Sequence, residues 1–158
     1  LPWPCPNDYE RLMTGAVEAA KADGATALVF GDLFLRDIRA YREQQLAGTG
    51  LTPLFPLWER PTADLAVQMI DVGIDAVVTC VDPKALDRSF AGRRFDAQFL
   101  ADLPSTVDPC GENGEFHTFV RNAPGFSRPI AAEVGEIVER DGFVFCDVLP
   151  ATPAAASS

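Results

Sequence analysis

Three short apolar runs are separated by segments of helical spacing, and this alternation constrains the chain more than any other feature. "TALVF" (26–30), "LTPLFPLW" (51–58) and "IDAVVTCV" (74–81) are rich in β-branched and aromatic residues. Near-continuous apolar runs of this length suit strands covered on both faces, and such strands belong in parallel sheets. Between and before them lie amphipathic stretches. Asn7 or Asp8 is placed to cap a helix over about 9–23, with Leu12, Ala16, Ala19 and Ala20 on one side and Gly24 past its end. A second helix is predicted over about 35–46, ended by Gly48 and Gly50, and a third from Pro61 to about Val72, ended by Gly73. Pro53 and Pro56 put the second strand near an edge or restrict it to a few residues. Strand and helix alternating at this spacing predict an α/β fold on a parallel sheet.

The pattern then changes. Short helices are predicted near 84–88 and 95–102, and after Pro104 comes a loop rich in Pro, Gly and Asn. "EFHTFV" (115–120) and "PIAAEVGEIVERDGFVFCDVLP" (129–150) follow, and Asp141-Gly142 divides two alternating runs, 130–139 and 143–149, as a hairpin turn does. The expected organisation is a partial α/β domain over 1–104, a motif loop with a small antiparallel extension over 105–150, and a disordered low-complexity tail over 151–158. The chain opens on Leu1, and "LPWPCPNDYE" reads as a connection into a helix cap, so a segment upstream is expected.

Thirteen Lys and Arg against 23 Asp and Glu give a net charge of −10, which argues against nucleic-acid binding and its basic stripe. None of the four cysteines (Cys5, Cys80, Cys110, Cys146) stands at C-x-x-C spacing, so no zinc knuckle and no other metal site is predicted. Cys80 and Cys146 lie in apolar runs and read as buried thiols, consistent with a reducing cytoplasm. No stretch approaches the ~20 apolar residues of a membrane span, and the start carries no basic and apolar leader.

In open α/β sheets ligands bind beyond the carboxyl ends of strands. That rule selects Gly31-Asp32, with Arg36, Arg39 and Arg42 on the next helix; "FPLWER" (55–60), where Trp58 offers a flat face; and Thr79-Cys80. For each the plain alternative is a solvated helix face or core packing. A fourth place is "DPCGENGEFHTF" (108–119). Here Glu112 and Glu115 flank Asn113-Gly114, and the chain's one histidine, His117, follows. Asn-Gly alone is a hairpin-turn signal and a lone histidine is usually structural; the density of polar groups sets this stretch apart. Strand alternation would put Glu115, His117 and Phe119 on one face.

"FGDLFLRDIRAYREQQLAGTGLTPLFPLW" (30–58) together with "VDPCGENGEFHTFV" (107–120) resembles the diphthine–ammonia ligase family, the diphthamide-synthase branch of the N-type ATP pyrophosphatases or adenine nucleotide alpha-hydrolases. The likeness runs from about Leu1 to Leu149, and its specific motifs are Gly111 to Thr118 and the Gly-Asp-x-x-x-x-Asp helix entry at Gly31 followed by Pro56-Leu57-Trp58. It implies a Rossmann-like parallel sheet lacking its first strands, with a small C-terminal antiparallel extension. It also implies an ATP- and Mg2+-dependent ligase that adenylates a carboxylate and lets ammonia displace AMP. On this resemblance Gly31, Asp32, Arg39 and Arg42 line the nucleotide pocket. Gly111, Asn113, Gly114, Thr118 and Trp58 bind substrate. Glu112 and Glu115 hold an amine and take its proton, and His117 assists.

Archaeal and eukaryotic members act on diphthine in elongation factor 2. The composition and the wording of the motif suggest a bacterial member amidating another acid, with a corrinoid as one suggestion. The implied partners are a small-molecule or protein-borne carboxylate and ammonia, with no nucleic acid and no membrane; an uncovered sheet edge favours a homo-oligomer. Three departures stand out. The Ser-Gly-Gly-Lys-Asp-Ser phosphate loop of the family does not occur here, so this chain by itself is expected to be inactive. Glu59 stands where a Gly often follows Pro-Leu-Trp, and "RNAPGF" (121–126) replaces a Tyr-Asp-Gly-Pro-x-Phe-like run. The alternative from another class is a non-catalytic substrate- or partner-binding module; a tRNA-modifying relative is disfavoured by the acidic balance.

Overall fold

A computed structural model describes residues 8–151, so the Asn7 cap, the opening segment and residues 152–158 of the expected disordered tail lie outside the described residues. The chain groups into two compact units, Leu1–Glu59 and Arg60–Ser158, and the boundary expected near residue 104 falls inside the second.

The first unit contains α1 (Asp8–Ala22), β1 (Ala27–Val29), α2 (Arg36–Leu46) and β2 (Thr52–Leu54). Gly24 takes a left-handed φ of 87°, which lets its N–H reach back to the Lys21 carbonyl at 2.9 Å and ends α1. β1 and β2 pair in parallel, with Ala27 opposite Thr52 and Val29 opposite Leu54. Parallel pairing is what the alternation predicts. Burial on both faces is not observed: Val29 is 67% exposed and Leu54 45% exposed. The packed residues are Leu28 and Phe30, which meet Val17, Leu46 and Leu51. One face of this two-stranded sheet is therefore covered.

The second unit contains α3 (Thr62–Asp71), β3 (Asp75–Val81), α4 (Ala97–Asp102), β4 (Phe116–Asn122), β5 (Ala132–Arg140) and β6 (Phe143–Pro150). The predicted helix near 84–88 is instead a turn followed by a single 3-10 turn, Arg88–Phe90, where the Asp87 carboxylate accepts the Ser89 N–H at 2.9 Å. The four strands run in the order β4-β3-β6-β5 and every pairing is antiparallel. This corrects the expectation for β3. Its apolar run does mark a buried strand, but its neighbours are C-terminal strands running the other way. Apolar content reports burial and is blind to strand direction. The β5–β6 hairpin forms as predicted, with Asp141 (φ 52°) and Gly142 (φ 81°) both left-handed, as a tight two-residue turn requires.

β3 and β6 meet only at Cys80–Phe145 and Val81–Val144. Farther back, residues 92–95 take over the β3 edge, through Gly92 N–H to the Val78 carbonyl and Val78 N–H to the Arg93 carbonyl, both 2.8 Å. Gly92 is needed there, since a Cβ would lie 3.2 Å from the Cys146 sulfur in a left-handed backbone. Below the sheet, the rings of Phe90, Phe95 and Phe116 surround Phe99 at centroid distances of 5.7, 5.4 and 5.2 Å. Phe99 is fully buried, and its removal from water stabilises the unit by about 1.5–3 kcal/mol. No helix among the described residues is long and apolar enough to cross a membrane.

Candidate functional site

The loop between α4 and β4 is held by two of its own carboxylates. Asp108 Oδ2 accepts the N–H groups of Cys110 (3.1 Å) and Glu112 (3.0 Å). Glu115 Oε1 accepts the Asp108 N–H and the Asn113 side-chain Nδ2, and Oε2 accepts the Asn113 N–H, each at 2.9 Å. The Glu115 carbonyl also accepts the Asp82 N–H at 2.9 Å, which fastens the loop to the end of β3. Two glycines allow this path. Gly111 (φ 69°) packs so closely that a Cβ would lie 2.8 Å from the Phe116 carbonyl oxygen, and Gly114 (φ 86°) returns its N–H to the Gly111 carbonyl at 3.0 Å. Asn113-Gly114 is thus not a hairpin turn joining two strands. It belongs to a knot whose backbone donors turn inward.

Glu115 is only 6% exposed. Burial acts to raise its carboxyl, but hydrogen bonds from the Asn113 side chain and from the N–H groups of Asp108, Glu115 and Asn113 outweigh it and hold the group below the usual glutamate range. Cys110 is the opposite case. Half-buried, beside Asp108 and Glu112, and donating its S–H to the Thr62 carbonyl at 3.3 Å, its thiol is pushed up to about 12, by burial first and then by the two carboxylates. Burial likewise raises the Cys80 and Cys146 thiols, both buried as expected.

The second half of the motif does something different. His117 and Thr118 leave the knot on β4, are exposed, and line an open groove of about 680 Å3. Thr79 and Cys80 line the same groove, together with Phe145–Pro150. β6 pairs with β3 only through Val144 and Phe145, and the groove is lined by the part of β6 beyond that pairing together with residues of β3 and β4. Two places that the sequence treats separately, Thr79-Cys80 and His117-Thr118, are therefore joined. His117 stands opposite Cys80 in the ladder, and its carbonyl accepts the Thr79 hydroxyl at 3.3 Å. Glu115 and His117 do not share a strand face: Glu115 precedes β4 and is folded into the knot, whereas His117 is exposed on the strand. Asp108 opens the 108–119 stretch, but its part in holding the loop is found only through the fold; Arg140 and Asp147 carry no motif signal and line the groove.

The remaining candidates lie in the first unit. Gly31 and Asp32 follow β1, and the Asp32 carboxylate pairs with Arg42 at 3.9 Å. Arg39 pairs with Glu43 at 2.9 Å, so the two arginines take separate partners. The Arg39 guanidinium lies 4.7 Å from the Phe55 ring centre and 4.6 Å from that of Trp58, so the indole's flat face holds a cation of the protein itself. Arg42 lies 5.2 Å from the Phe30 ring. Both guanidiniums are thus held by carboxylates and rings of the chain itself, and Arg42 lines a small pocket with Phe30, Tyr41 and Gln45. Among the described residues no three His, Cys, Asp or Glu side chains converge as metal ligands, and no magnesium ligand is assigned.

Residues 61–148 match the diphthamide synthase C-terminal domain family, a stretch that lies within the second unit. Among curated proteins, diphthine–ammonia ligase of Bos taurus is 33% identical over 103 residues, covering 62% of this chain and 39% of that protein. The Homo sapiens protein of the same name gives the same identity and coverage. The Danio rerio protein is 29% identical over 148 residues, covering 89% of this chain and 56% of its own length. The chain thus spans between two fifths and three fifths of these relatives.

Proposed function

The chain belongs to the diphthamide synthase C-terminal domain family, and from that premise we propose that it forms the C-terminal, substrate-side part of an ATP-dependent amide ligase. In such a ligase ATP activates a carboxylate as its acyl adenylate. Ammonia attacks the acyl carbon, the C–O bond to AMP breaks, and the nitrogen sheds a proton to a base. The observation that carries this reading is the division of the Gly111–Thr118 motif into an acidic knot and a groove wall.

The knot suits the nitrogen donor. Its backbone N–H groups at 108, 110, 112 and 113 are occupied by Asp108 and Glu115, so they are not an anion-binding nest. Three carboxylates within residues 108–115 repel a phosphate and favour an ammonium ion. Glu112 is the carboxylate assigned to hold that ion and take a proton from it. The groove suits the acyl partner: His117, Thr118 and Thr79 offer hydrogen bonds beside the apolar Phe119 and Phe145. The acid that lies there is a small molecule or a protein side chain.

The test is release of AMP and pyrophosphate, with incorporation of 15N-ammonium, by the ligase that carries this chain. Glu112→Gln should lower amide formation by about 10²–10⁴-fold, the range for a lost proton-transfer group. AMP release that ignores ammonium, or undiminished amide formation by the variant, would exclude this reading.

A further inference from the structure

The motif presents two glutamates on either side of one turn, and the structure breaks that symmetry. We infer that Glu115 is a positioning residue: its ionised carboxylate fixes the 108–115 loop and thereby sets where Glu112 stands, so that Glu112 alone handles the nitrogen donor. The identity of that donor rests on the ligase reading; the positioning role does not.

Three N–H groups converge on the two oxygens of Glu115, all at 2.9 Å, and none belongs to a ligand. The backbone around Glu112 is gripped on both sides. Its own N–H is held by Asp108 Oδ2, and the N–H of the next residue, Asn113, by Glu115 Oε2. Removing Glu115 frees one side of that grip. Geometry also demands the ionised acid. A glutamine keeps one acceptor oxygen and turns an NH2 toward at least one of the N–H donors, so donor meets donor in a buried place. An aspartate keeps the charge with a shorter reach.

The same contacts disqualify Glu115 as the base. A carboxylate stabilised by several N–H donors is a weak proton acceptor, and its two oxygens are already engaged. Titratable groups near it include Asp108, Glu112 and Cys110 of the loop and Asp82 at the end of β3, and among the described residues no cationic side chain bonds its carboxylate. Since its acidity is increased by folding, the clamp is complete above the ordinary glutamate range and is lost as pH falls through the lower folded value.

Amide hydrogen exchange on this chain tests the role without any substrate. In the wild-type protein the Asp108 and Asn113 amides should be protected at pH 7. They should lose at least tenfold in protection factor as the pH falls through the folded value, while β5 and β6 amides hold. Glu115→Gln should show the opened state at every pH, at 108 and 113 and also at 110 and 112, and Glu115→Asp should restore part of the protection. A packing role alone would give no such pH profile. Protection at 108 and 113 that is flat across the carboxylate range, or unchanged in Glu115→Gln, would overturn the proposal. If Glu115→Gln fails to fold, the wild-type pH series still decides. In the ligase, Glu115→Gln should raise the KM for ammonium more than it lowers kcat, with Glu115→Asp recovering part of that KM. A loss confined to kcat, with the loop still protected, would return the base role to Glu115. Failure of the ligase assay for Glu112→Gln removes the ligase reading and leaves the exchange result standing.

Discussion

Gly111→Ala offers a direct measure of how tightly the motif loop is set. The left-handed φ of 69° costs an alanine about 1–2 kcal/mol relative to glycine. The new methyl would also lie 2.8 Å from the Phe116 carbonyl oxygen and 3.3 Å from two carbons of its ring. Phe116 cannot easily retreat, because its ring packs 5.2 Å from Phe99 and 6.4 Å from Phe95 in the core. Forcing a group into such a site costs a further 1–3 kcal/mol, roughly. Gly114→Ala is the control: its φ of 86° is equally left-handed, but nothing lies within 4 Å of its Cβ. Both substitutions stiffen the unfolded chain alike, so that contribution cancels in the difference. Gly111→Ala should therefore be less stable than Gly114→Ala by about 1–3 kcal/mol. Urea dependence of exchange at the Val78 and Val81 amides, which sit in the central strand, reads this for the second unit alone. Equal stability within about 0.5 kcal/mol would refute the claim that contact with Phe116, and not backbone conformation alone, requires glycine at 111.

Two further outcomes follow from single residues. Glu59 holds a left-handed φ of 58°, donates its N–H to the Leu33 carbonyl at 2.7 Å, and pairs with Arg36 only at the exposed surface. Glu59→Gly should therefore be more stable than Glu59→Ala by about 1 kcal/mol in urea unfolding followed by Trp58 fluorescence, and no difference between them would show that the backbone there is unstrained. With its thiol near 12, Cys110 is about one part in ten thousand thiolate at pH 8, so iodoacetamide should label it at least a thousandfold more slowly in the folded chain than in urea; comparable rates by peptide mass spectrometry would contradict its burial against Thr62.

Glu59 also shows how a sequence signal acquires a cause. Its place after Pro-Leu-Trp reads as a departure from a common glycine, and the backbone explains the preference: the chain turns there through a conformation that glycine adopts freely. The hairpin at Asp141-Gly142, the helix ends at Gly24 and Gly73, and the buried thiols at 80 and 146 were all legible, since each depends on local conformation or on apolar content. The motif was legible as a place, but the roles inside it were not. Glu112 and Glu115 are the same residue type three positions apart, and only the folded loop brings the Asp108 N–H and the two Asn113 donors onto one of them.

The sequence by itself determined most of the strands and helices and several of the left-handed turns, and it marked the stretch densest in polar groups, because periodicity, glycine and residue type are local properties. Only the tertiary structure decided that β3 lies among antiparallel C-terminal strands, that Thr79 and Cys80 share a groove with His117 and Thr118, and that Glu115 closes a knot. Each of these depends on which distant segment takes up a strand edge or a carboxylate oxygen. Residues 92–95 take the β3 edge where β6 is no longer paired to it; the Asp108 N–H, seven residues back along the chain, helps turn a glutamate into a clamp.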